Sequence, residues 1–403
     1  MVLANRGFLK DAQAAASVKG MPGLRILGES VACESTVAAD IEGGVDAAMP
    51  EIVAALTKPL TPSEKSPKQK VEKPARIIFK GSNQEVNHFF YGKGWTDGLP
   101  IVPPTEKAVA AMMAGTDLPA DQVVARMVPK LGKATVEKIA VNAVMAGALP
   151  TYMPVLIAAV QALADPKTRF DVFQTSTGSW APFFAVNGPV RNDININCGS
   201  GVFSPGNMAN AAIGRAVGLM VKNIAGVRKG IEDMGVLGNP EKYSLVLGEY
   251  EEESPWEPLH VDFGLRKEDS ALTVFFPNSY SQTIPAQTSA QGIAERLASM
   301  SPFSLSCLVV IPDHARILSS EGWSKKRLRE FILKNAPRGE MRRTLQDEDF
   351  IVVVAGGPGV WMAALKSSGG FGNSFVTKKI ELPRNWDKLV AKYKALVPNY
   401  EYY

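Results

Sequence analysis

A chain of 403 residues is too long for one ordinary hydrophobic core, so two or three domains are expected. Apolar residues make up 46% and charged residues 21%, a globular composition that excludes global disorder. The 44 basic residues exceed the 40 acidic ones by a net charge of only +4, and no basic stripe gathers them, which excludes a nucleic-acid surface.

Along the chain, residues 8–19 carry helix formers up to Gly20 and residues 24–27 make a short apolar strand. Residues 35–56 form a second amphipathic helix with Val37, Ile41, Val45, Ile52 and Val53 as its apolar positions. A lone strand between two helices neither makes a sheet nor buries both its faces. Residues 1–60 therefore read as an incomplete α/β segment that completes a partner's sheet, followed by a polar, Lys- and Pro-rich linker over 61–74.

A central α+β domain is expected over 75–300. The run Gly94-Trp95-Thr96-Asp97-Gly98-Leu99-Pro100 is a turn, with Asp97 bonding its own backbone. Helices follow at 106–114, from the Thr135 cap to 148, and at 154–164. The longest apolar tract, 139–164, is broken by Pro150 and Pro154, so it reads as buried helices and not as a membrane span. Short strands are expected at 171–174, 182–186 and 193–197, then a helix over 207–223 and strands at 243–247 and 271–276. The C-terminal α/β subdomain, 301–403, reads as βαβ-like: strand 304–311, basic helix 325–334, strand 350–355. No internal repeat at a fixed period is visible. The expected fold is thus multi-domain, α/β and α+β.

Three distant cysteines (Cys33, Cys198, Cys307) give no disulfide framework or zinc pattern and suit a reducing cytoplasm. Residues 1–20 hold no apolar secretory core, and three histidines do not make a histidine-rich metal site. No metal is assigned, and no cofactor is named.

The strongest candidate site is Asn195-Ile196-Asn197-Cys198-Gly199-Ser200-Gly201-Val202-Phe203-Ser204-Pro205-Gly206-Asn207, between a strand and a helix. Unpaired N–H groups at such a helix start favour an anion, and glycines permit close approach. Asn197, Gly199, Ser200, Gly201, Asn207 and Asn210 are the substrate-binding candidates. Cys198 is either a thiol activated by the helix end or an inert cysteine in a tight turn. On the helix that follows, Asn210, Gly214 and Gly218 share a face, and Arg215 beside it is placed to pair with an anion. Lys138 and Asn142 share another face as candidate site lining, with Asn142 a further substrate-binding candidate.

Glu249, Glu251, Glu252 and Glu253 repel one another unless solvated or neutralised, and His260 shortly after them is a candidate general base. Ala355-Gly356-Gly357-Pro358-Gly359 and Gly369-Gly370-Phe371-Gly372, with Lys366, Lys378 and Lys379 nearby, read as tight turns or a phosphate loop.

Four phrases occurring together carry a resemblance. They are the 94–100 turn with Pro103-Pro104-Thr105, Ala140-Val141-Asn142-Ala143-Val144-Met145-Ala146-Gly147, Asn210-Ala211-Ala212-Ile213-Gly214-Arg215-Ala216, and Ser254-Pro255-Trp256-Glu257-Pro258-Leu259-His260. Over about residues 75–383 the chain resembles the bacterial family named for a selenocysteine- or cysteine-containing UGSC motif. The resemblance implies thiol- or selenol-dependent chemistry. The stretch from Gly20 to Thr57 is similar to the region after that motif in longer members, yet no Cys-Gly-Ser-Cys occurs here. The motif is therefore expected on a small partner subunit or upstream of Met1, and Cys198 does not inherit its role.

Two functional expectations follow. One is the large subunit of a cytoplasmic enzyme, oxidoreductase or lyase, acting on a small anionic substrate, with Cys198, His260 and Arg215 as its catalytic candidates. The other is a non-catalytic scaffold that docks a redox protein. Either is a hetero- or homo-oligomer, without membrane or nucleic acid.

Overall fold

The computed structural model describes residues 1–32, 35–65, 75–278, 280–285, 288–300, 306–336, 347–362, 364–368 and 374–394. The chain is a mixed helix-and-strand, multi-domain α+β protein with four sheets among these residues.

At the N-terminus, β1 (Val2–Asn5) pairs in parallel with β2 (Ile26–Glu29) across the helix Leu9–Val18, and the helix Ala38–Thr57 follows. The strand at 24–27 is therefore not alone, because β1, only four residues long and polar at its end, forms its neighbour. Among the described residues no third strand joins the pair, and both outer edges stay open. Residues of the linker from 66 to 74 lie outside the described residues, and so does Cys33.

An antiparallel hairpin, β3 (Val123–Met127) and β4 (Gly132–Thr135), leads into the helix Val136–Met145, which Thr135 caps by accepting from Lys138 N. Residues 171–174, expected as strand, belong instead to the helical turn Phe170–Phe173, where Phe170 and Phe173 are buried. Residues 193–197 are likewise not a strand, since Asn195 has φ +57 and the asparagines tie a loop.

The main body is two four-stranded sheets. The first has the order β12 (Val376–Lys379), β7 (Ala271–Phe275), β5 (Phe183–Asn187), β6 (Val246–Gly248). The second has the order β8 (Ser281–Thr283), β11 (Ala364–Ser368), β9 (Ser306–Val310), β10 (Phe350–Val354). In each, one parallel pair is joined by a helical crossover: β5 to β6 through the helix Met208–Met220, and β9 to β10 through the helices Pro312–Ser320 and Lys325–Asn335. The next strand returns antiparallel on the far side of the first, as β7 does beside β5 and β11 beside β9. The fourth strand of each half is exchanged: β8, after β7, pairs with β11, and β12, after β11, pairs with β7. Even the strand ends correspond, since Glu249 N donates to Val186 O and Ala355 N to Val310 O, both at 3.1 Å.

The chain thus contains a topological repeat that no sequence period announces. The boundary expected at residue 300 is crossed by both exchanged strands, and the βαβ reading of the C-terminal third holds for β9 and β10.

Alternation along the strands sorts side chains into layers. Phe183, Ala185, Leu247 and Phe275 face Cys307, Val309, Ile351 and Val353 in a core between the sheets. Phe184, Val186, Val246, Leu272 and Val274 point the other way, to a core with the helices Val136–Met145, Met153–Leu163 and Met208–Met220. Leu308, Val310, Phe350, Val352 and Val354 pack on the helices Ala290–Ser299, Pro312–Ser320 and Lys325–Asn335. Each Val, Leu, Ile or Phe among them contributes about 1.5–3 kcal/mol by burial, so the helix–sheet–sheet–helix stack is the rigid platform for the loops at its end.

Candidate functional site

The carboxyl ends of parallel strands, with the loops that follow them, are where open α/β sheets place ligands. In this protein β9 and β10 end together at Val310 and Val354, and β10 runs directly into the glycine loop 355–359. The loop 197–206 comes from the other half and meets it there: Gly356 N donates to Cys198 O at 2.8 Å. A side chain at Gly357 would place its Cβ 2.0 Å from Ser200 Oγ, so only glycine permits this approach. Gly201 turns the facing loop with φ +65, a left-handed conformation that other residues resist.

Between them lies a cleft of about 430 Å³. Ser200, Ser204, Gln282 and the glycine-loop backbone supply its polar lining, and Phe203, Tyr280 and Trp361 supply aromatic surface. Val202, Val309 and Ala355 form its floor and also belong to the core between the sheets. Besides the Gly356–Cys198 bond, the glycine loop and the residue after it are held at two points, since Gly359 N donates to Asp313 Oδ2 at 2.6 Å and Val360 O lies 2.9 Å from His314 Nε2. The N–H bond from Gly359 and the ion pair with Arg316 hold the Asp313 carboxyl below its ordinary range. Among the described residues lining the cleft, the Tyr280 phenol is the sole ionisable side chain.

The structure divides the sequence candidates. Ser200 and Gly201 line the cleft. The asparagines build the loop and are not among the residues that line the cleft. Asn210 Oδ1 accepts from Asn197 N at 2.8 Å, while its Nδ2 donates to Asn197 O and Val246 O. Asn197 Oδ1 takes the Gly199 N–H, and Asn207 caps the helix Met208–Met220 by accepting from Asn210 N. These side chains satisfy backbone groups of a loop that has no ladder of its own.

Cys198 is half-buried, and burial pushes its thiol up, with the neighbouring Arg191 guanidinium only partly offsetting it. Of the two readings of this residue, that favours the inert cysteine in a tight turn over a thiol activated by a helix end, because desolvation disfavours the thiolate. His260 is fully buried, with Nε2 3.0 Å from Arg266 O and 3.3 Å from Lys267 O, and it ties a turn away from the cleft lining. Arg215 is clamped by the 94–100 turn: it bonds both Asp97 carboxylate oxygens, at 2.7 and 3.0 Å, and the carbonyls of Leu99 and Pro100. Asn142 is buried, donating to Lys138 O and accepting from Asn223. Cys198, His260 and Arg215 do not converge on one reacting atom, and Arg215 and the loop 197–206 do not share one anion pocket.

The acidic run is neutralised by the chain's own cations. Arg191, 2% exposed, pairs with Glu252 through both terminal nitrogens and with Glu251 through Nε. Glu249 Oε2 accepts from Asn187 and Leu259 N, with Lys325 3.6 Å away, and Glu253 pairs with Arg316.

Comparison with family models, curated proteins and solved structures returns no match.

What sequence reasoning undervalued is the glycine loop 355–359. Its signal, a glycine cluster at the end of an all-apolar strand, was legible, but its value comes from the distant loop it meets.

Proposed function

We propose that this chain is the large subunit of a cytoplasmic enzyme that holds a small molecule in the two-loop cleft and receives its reactive thiol or selenol from a companion subunit. The observation that carries this reading is the meeting of two glycine loops at the ends of β9 and β10, fixed by the Gly356–Cys198 bond and by the fit of Gly357 against Ser200. Hydroxyls, one amide and aromatic faces bind and orient a substrate with a polar end and an apolar body. They are weak acids and bases, so redox or lyase chemistry from a docked thiol complements them. The resemblance to the UGSC-motif family points to the same kind of group.

The N-terminal unit supports a companion in two ways. Among the described residues, β1 and β2 leave two strand edges open. On the helix Ala38–Thr57, Ile41, Val45, Met49, Val53 and Leu56 are all exposed, along one stripe that begins at Val37. An α/β subunit adding parallel strands and a covering helix satisfies both.

A thermal-shift screen of small uncharged and anionic molecules tests the cleft. Stabilising molecules should lose their effect in Trp361→Ala and Gln282→Ala. Hits indifferent to both substitutions would contradict the proposal and favour the scaffold alternative.

A further inference from the structure

A second cavity, of about 200 Å³, lies apart from the glycine cleft, between the 94–100 turn, the helix Met208–Met220 and the segment 227–243. We propose that it binds a phosphate group, carried by inorganic phosphate or by a small phosphate monoester. Its lining holds four cations (Arg215, Lys222, Lys229 and Lys242) against two carboxylates, Asp97 and Asp233. The two carboxylates are already matched, Asp97 by Arg215 at 2.7 Å and Asp233 by Lys242 at 2.7 Å. Lys222 and Lys229 remain as an excess of two positive charges.

Lys222 Nζ donates to Thr96 O at 2.6 Å, which aims the ammonium at the cavity wall formed by the turn. Burial lowers the Lys222 pKa and the nearby Asp97 works against this, so an anion brought into the cavity would be favoured by a partly desolvated charge. Lys229 has no ion pair among the described residues.

An independent observation points to a ligand as well. Gln174 lines the cavity and is 3% exposed, yet its Nε2 meets no hydrogen-bond partner among the described residues. A buried amide donor without an acceptor is costly unless an acceptor arrives. A phosphoryl oxygen becomes that acceptor once the amide, shielded from solvent, turns to meet it.

The donor types choose the anion. Planar carboxylates are recognised best by a free guanidinium fork, and among the described residues lining this cavity the only fork, Arg215, is closed on Asp97. What remains are two ammonium groups and an amide, donors that suit a tetrahedral dianion.

The test is isothermal titration calorimetry on the full chain at low ionic strength with inorganic phosphate, glycerol phosphate and succinate. Phosphate or glycerol phosphate should bind, more tightly than succinate, and each of Lys229→Gln and Gln174→Leu should weaken binding at least about tenfold. Preference for glycerol phosphate over inorganic phosphate would identify an esterified ligand, and the reverse would identify the free ion. Lys222→Gln should do the same, and Lys229→Gln, on an exposed side chain, keeps the test independent of folding. Succinate binding as tightly, absence of any phosphate heat, or phosphate binding unaffected in both Lys229→Gln and Gln174→Leu would overturn the proposal.

Discussion

Gly357 is the residue on which the cleft depends, because its missing side chain is what brings the two loops together. Gly357→Ala should destabilise the protein by about 1–3 kcal/mol, the usual cost of forcing an extra carbon into a packed site. Ser200→Gly should recover much of that loss, and a double-mutant cycle read by chemical denaturation checks the coupling. A second residue-level expectation concerns acid. Burial works to raise the Glu252 carboxyl, but bonds from Arg191 and Asn192 outweigh it and hold it down at about 2. Burial likewise opposes, and Arg228 and Lys130 overcome, the shift that holds Glu232 at about 2. Both are depressed below the ordinary 4.5, so their stabilisation is complete above pH 4.5 and lost as pH falls through about 2. Glu252→Gln should flatten the stability–pH curve in that window, measured by urea midpoints, since the depressed carboxyl whose titration sets the slope is gone and Glu251 is left as the carboxylate partner of Arg191.

Among the elements, those with a strong local signal were legible in the sequence, and those defined by their neighbours were not. Thr135 and the apolar spacing after it announce the helix Val136–Met145, and continuous apolar runs announce β9 and β10. By contrast β12 reads Val-Thr-Lys-Lys and β8 reads Ser-Gln-Thr, and such edge strands are set by the partner they pair with. For the same reason the exchange of β8 and β12 is invisible in the sequence. The candidate cleft was legible in part: Ser200 and Gly201, which line it, stand in a loop the sequence marks, while the roles of Asn197, Asn207 and Asn210 as loop ties depend on backbone groups that only the fold brings near them. The exposed stripe on the helix Ala38–Thr57 yields a prediction at this scale. Val45→Glu with Met49→Glu should leave the melting temperature of the isolated chain within about a degree or two, as expected for exposed sites. The same pair should abolish binding of a companion subunit, read by native mass spectrometry of material purified from the source.

At the scale of the whole molecule, the main body is two copies of one β–helix–β–β plan with exchanged fourth strands, stacked so that the loops of one half close over the strand ends of the other. That arrangement explains how chemically plain loops, separated by some 150 positions along the sequence, become one rigid cleft. It also explains the separation of charge from the cleft, since the ion pairs of Arg191, Glu251 and Glu252 lock the first half and those around Arg215 lock the 94–100 turn. The most direct measurement is amide hydrogen exchange with and without a stabilising small molecule found by screening. Protection confined to residues 200–204 and 355–362 is the result expected if the cleft is the substrate site. Protection elsewhere, with those two loops unchanged, would contradict it.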